Sequence, residues 1–96
     1  MRVMVASVAY MKAAGSGYAI GLTDRGDRVE FIGDWRALKN LREAIESAGE
    51  PQPVEIEEWQ VVAVNGALQV PLSRAAMAER AAFLRSALSQ LDEETP

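Results

Sequence analysis

The sequence contains no cysteine and no histidine. Without cysteine there is no disulfide scaffold, zinc finger, iron–sulfur site or thiol nucleophile. Without histidine the commonest general base and the commonest metal ligand are both missing. Aromatic residues are few, at 6%. Basic residues are outnumbered by acidic ones, 10 to 14, giving a formal net charge of −4. That sign disfavours a chain that wraps nucleic acid or lies on an anionic membrane. No apolar run approaches the roughly 20 residues that a membrane-spanning helix needs.

What is present suits one folded domain spanning 1–96. The chain has 96 residues, 49% hydrophobic and 25% charged, a balance that excludes wholesale disorder. The opening apolar run behind Arg2 imitates a short signal peptide. Its length instead fits a strand of the folded protein, and a cytoplasmic location is the expectation.

The pattern predicts an α+β fold: a mainly antiparallel sheet, element order βββαββα, with two amphipathic helices packed on it. Residues 2–12 read as a strand apolar on both faces, Val3, Val5, Ala9 and Met11 on one and Met4, Ala6, Val8 and Tyr10 on the other. Such a strand needs cover on both sides, here expected from a helix and a partner subunit. Tyr18, Ile20 and Leu22, then Val29 and Phe31, alternate around the Asp24-Arg25-Gly26-Asp27 turn and form a hairpin. Asp34 caps a helix whose stripe is Trp35, Leu38, Leu41, Ile45 and Ala48, and Gly49 stops it.

Val54 to Val64 reads as one strand. Burying both Ile56 and Trp59 on one face of it requires a change of parity near Glu58. Asn65-Gly66 marks a hairpin into a short strand that ends before Pro71. Ser73 caps a final helix to about Leu91, with Met77, Ala81, Leu84, Leu88 and Leu91 as its main stripe. Phe83 and Ala87 lie off that stripe and are the candidate homodimer interface, since the apolar arc exceeds what one sheet face covers.

Chemistry-bearing candidates are few. Lys12 with Gly15-Ser16-Gly17 could cradle a phosphate, but a strand follows where phosphate loops open a helix. Serine catalysis would have to pair one of Ser7, Ser16, Ser47, Ser73, Ser86 or Ser89 with Lys12 or Lys39, and no spacing does so. The order strand–strand–strand–helix–strand is similar to the start of the ribonuclease H-like fold, which would imply a carboxylate and metal-dependent nuclease. That fold carries an acid on its first strand, and residues 2–12 hold none. No catalytic residue, cofactor or metal is therefore assigned.

The favoured reading is a small non-catalytic interaction module, a regulator or inhibitor of a larger partner such as a nucleic-acid-processing enzyme, and itself a homodimer. Glu55, Glu57, Glu58 and Trp59 are its candidate partner-binding residues, part of an acidic stretch that also includes Glu43, Glu46 and Glu50. The alternative is a nucleic-acid-binding sheet that uses Arg25 and Arg28 at the hairpin tip, disfavoured because Asp24, Asp27 and Glu30 interleave with them.

Overall fold

A computed structural model describes residues 1–13 and 15–94, with side chains through Ala87. Ala14, Thr95, Pro96 and the side chains of 88–94, including Leu88, Leu91 and the acidic end, lie outside the description. Six strands form one antiparallel sheet: β1 (Arg2–Met11), β2 (Ser16–Leu22), β3 (Arg28–Gly33), β4 (Gln52–Glu55), β5 (Gln60–Val64) and β6 (Ala67–Leu68). Their spatial order is β4-β1-β2-β3-β5-β6. Helices α1 (Trp35–Ala48) and α2 (Arg74–Glu94) cover opposite faces, so the fold is α+β in the expected order with one extra break.

Local signals account for most boundaries. Asp34 accepts a bond from the Arg36 amide at 2.7 Å, and α1 ends at Gly49, whose N–H reaches the Ile45 carbonyl. Asn65 and Gly66 both have positive φ, 50° and 86°, the geometry that joins β5 to β6. Ser73 Oγ accepts from the Ala76 amide at 3.1 Å and caps α2.

The β1 face assignment is corrected by a bulge. Val5 pairs with Gly21 and Ser7 with Ile20, leaving Ala6 as an extra residue. Val3 and Val5 therefore share the α1 face with Val8 and Tyr10, whereas Met11 joins the α2 core with Tyr18 and Val62. Helix α1 covers Val3, Val5 and Val8 and the α2 core takes in Met11, while Met4 and Tyr10 of the same strand stay exposed, at 43% and 47%.

The stretch 54–64 is not one strand. β4 pairs with β1 and β5 with β3, on opposite flanks, joined by a 3-10 turn at Ile56–Glu58. In a flat sheet those flanks would stand about 19 Å apart, four strand spacings. The five Cα steps from Glu55 to Gln60 reach at most about 17 Å even fully extended, and the turn shortens them. The sheet must therefore curl toward this face, around Val3, Val29, Phe31 and Ile56. The turn also supplies the parity change that buries Ile56 while packing Trp59 on Phe31, ring centroids 5.6 Å apart.

Helix α2 is rotated from its expected stripe. Ala76, Arg80, Phe83 and Ala87 face the sheet, at intervals of four, three and four, whereas Ala81 is exposed. The reason is a buried arginine. Arg80 reaches Glu30, a fully buried carboxylate on β3, and a polar letter at a core position conceals the periodicity.

Candidate functional site

The free edge of β1 is the most distinctive feature of the surface. On its inner side β1 pairs with β2 from Met4 to Met11. On its outer side β4 pairs only with Arg2–Val5, and among the described residues nothing continues the ladder beyond. Two local causes end the pairing there. The bulge at Ala6 bends β1, and Pro51, which precedes β4, has no N–H to offer to the next rung.

Both helices overhang this edge. Arg42, Ile45 and Glu46 of α1 line one lip, and Phe83, Ser86 and Ala87 of α2 line the other. Between them Ala6 to Tyr10 form the floor of a groove of about 510 Å³. The floor carries alternate unpaired N–H and C=O groups, because successive residues of a strand address opposite neighbours. Its walls combine Val8, Ile45 and Phe83, all half-buried, with the Arg42–Glu46 pair at 3.3 Å on the rim. The slot has the length and hydrogen-bonding character for an added strand.

The other polar cluster lies inside the molecule. Arg80 donates to both oxygens of Glu30, from Nε at 2.6 Å and Nη2 at 2.9 Å, and Tyr18 donates its hydroxyl to the same carboxylate. The bond to Glu30 raises the Arg80 pKa above its ordinary value, against burial, which lowers it. Tyr18 in turn meets Phe83 edge-on at 5.3 Å. None of the triad borders the slot. It fastens α2 to the sheet and so fixes the lip that Phe83, Ser86 and Ala87 form.

The candidate partner-binding residues are divided. Glu55 and Glu57 are exposed and gather around the Met1 amino group, with Arg2 Nε also 3.4 Å from Glu55, so these two acids are locally neutralised. Glu58 is exposed on the 3-10 turn, while Trp59 turns inward against Gly33 and Phe31. The tip arginines are also separated. Arg25 is exposed at the turn, whereas Arg28 is half-buried against the Asn65-Gly66 turn, with a buried Nε that meets no hydrogen-bond partner among the described residues. The Gly15 amide is engaged by the Met11 and Lys12 carbonyls, which removes it from any phosphate cradle. Among the described residues no three carboxylates converge as metal ligands. Phe83 and Ala87 face their own sheet and also line the slot.

Sequence reasoning missed the edge itself, residues 6–11, and the α1 lip. A signal for it exists: Met4 to Met11 is free of charge, proline and glycine, while Pro51 precedes the flanking strand and Pro53 lies within it. No helix is long and apolar enough to cross a membrane among the described residues. In comparisons with protein families, curated proteins and solved structures, no match to this chain was found.

Proposed function

We propose that this protein is a small non-catalytic interaction module, a regulator or inhibitor that engages other proteins by taking an extended segment onto the free edge of β1. It acts without a cofactor, and a cytoplasmic setting suits a chain that has no cysteine to oxidise. Strand addition to an exposed sheet edge derives affinity from main-chain hydrogen bonds and specificity from the flanking side-chain pockets.

The observation that supports this reading is the contrast between edges. Proteins blunt exposed edges with proline, charge or brevity, because an unprotected edge recruits other strands. The β4 edge contains Pro53 and Glu55, and β6 is only two residues long. The Ala6–Met11 edge has no proline or charge and is six residues long, and its protection is the bulge at Ala6 and the two helices that overhang it.

Selection of random dodecapeptides against the purified protein tests the reading. Binders should carry alternating apolar side chains, slow hydrogen exchange at the outward-facing amides within Ser7–Met11, and lose affinity in Ser86→Arg, which extends a charged arm from the exposed lip. Binders that leave those amides unprotected refute it.

A further inference from the structure

We infer that the segment occupying the slot is the same strand of a second copy, β1 against β1′ about a two-fold axis. This inference rests on the strand-addition reading and names its occupant.

Four observations lead there. First, the slot is self-complementary. An antiparallel pair has a two-fold axis, and each copy offers the same six-residue stretch, Ala6–Met11, with no charge to repel its image. The stretch is also bounded suitably at both ends. β1 stops at Met11, and β4 resumes the edge at Val5, so a partner strand that fills the gap is no longer than the one available.

Second, the slot leaves apolar surface open: Val8, Ile45 and Phe83 are only half-buried along it, and Tyr10 on its floor is 47% exposed.

Third, α2 marches across the sheet toward this edge. Ala76 packs with β5, Arg80 reaches β3, Phe83 meets β2, and Ala87 stands beside β1. The helix then continues to Glu94, about 10 Å further at 1.5 Å per residue. A second copy paired at β1 lies in the path of that extension.

Fourth, the rim carries both signs. The Arg42–Glu46 pair sits on the α1 lip, and a two-fold axis lets Arg42 of one copy face Glu46 of the other without change of net charge. In such a pairing the two β1 strands stand about 4.8 Å apart. With α1 straddling β1 and β2, the two α1 axes then fall about 10 Å apart, which is ordinary helix-packing distance.

The test combines sedimentation velocity across micromolar to millimolar concentrations with hydrogen exchange read residue by residue. A monomer–dimer transition should appear, protection of the outward-facing amides within 6–11 should rise with it, and Ser86→Arg should weaken dimerisation at least tenfold while the circular dichroism spectrum is kept. The absence of native cysteine allows a second readout. Among single variants Ser7→Cys, Val8→Cys and Ala9→Cys, those nearest the axis should form linked dimers on mild oxidation, since cross-strand Cα distances of about 4.5–5.5 Å suit a disulfide. Ser47→Cys, on an exposed α1 position away from the slot, should not. A monomer at every concentration, or a dimer whose β1 amides stay open, overturns the second copy as occupant. The slot itself is judged separately, because peptides can still protect β1 in such a monomer, and their failure to do so overturns the strand-addition reading.

Discussion

Replacing Arg80 with alanine tests how α2, and with it one wall of the groove, is held. In the native structure Glu30 has no exposed surface and receives three bonds, two from Arg80 and one from Tyr18. Arg80→Ala leaves a buried carboxylate with a single donor. Breaking one partner of a buried pair costs about 3–5 kcal/mol. The Arg80 side chain is 11% exposed, so water can enter the vacated space and partly rehydrate Glu30. The expected loss is therefore at the lower end, about 3 kcal/mol, out of the 5–15 kcal/mol that small domains possess. In urea, with a slope near 1–1.5 kcal/mol/M, the midpoint falls by about 2–3 M, read by circular dichroism and tryptophan fluorescence.

The control removes the whole polar set: Tyr18→Phe, Glu30→Leu and Arg80→Leu together. Apolar replacement of a buried ion pair is commonly neutral or stabilising, and removing the Tyr18 hydroxyl avoids stranding a donor. This triple variant should unfold within about 1 kcal/mol of the native protein. The raised Arg80 pKa adds a sign. Its stabilisation is complete below the ordinary arginine pKa and is lost only as pH climbs through the raised value, so the Arg80→Ala deficit should stay flat between pH 6 and 10 as far as Arg80's own charge governs it. A loss under about 1 kcal/mol for Arg80→Ala, or a triple variant as unstable as the single one, refutes the view of Glu30 as a buried charge dependent on its partner.

Two further substitutions probe the elements on either side of Trp59 and the start of α1. Gly33→Ala places a methyl group inside the Trp59 ring, so the half-buried ring must move off the β3 backbone. It should cost about 3 kcal/mol or more in urea unfolding and red-shift the tryptophan emission as Trp59 is displaced toward water. Asp34→Ala removes the cap bond to the Arg36 amide, with an expected cost of about 1 kcal/mol by thermal or urea unfolding.

The parts of the fold that were legible in the sequence are those governed by neighbours in the chain. Asp34 and Gly49 delimit α1, and Asn65-Gly66 and the Asp24–Asp27 turn fix two hairpins, because capping and positive φ are decided within a few residues. What escaped depends on distant partners. Val54, Glu55, Ile56 and Glu57 keep their alternation of burial through the 3-10 turn, so nothing local shows that β4 and β5 belong to opposite flanks. The bulge at Ala6 is silent because alanine and serine fit either face of a half-buried strand. Arg80 misled the reading of α2, since an arginine that completes a buried pair is indistinguishable in the sequence from one that faces water. The groove is hidden for the same reason: it exists only where β1 runs on past the end of β4, a fact of pairing rather than of composition.

The 3-10 turn at Ile56–Glu58 acts as a buckle drawn across the molecule. Because it ties the two borders of the sheet by a tether shorter than their flat separation, the bend of the strands is imposed by connectivity, and the side chains inside merely fill the hollow it leaves. Exchanging residues in that hollow alters how well it is filled, whereas lengthening the tether by a few residues would let the strands relax open and carry the lip of α1 away from the edge it guards.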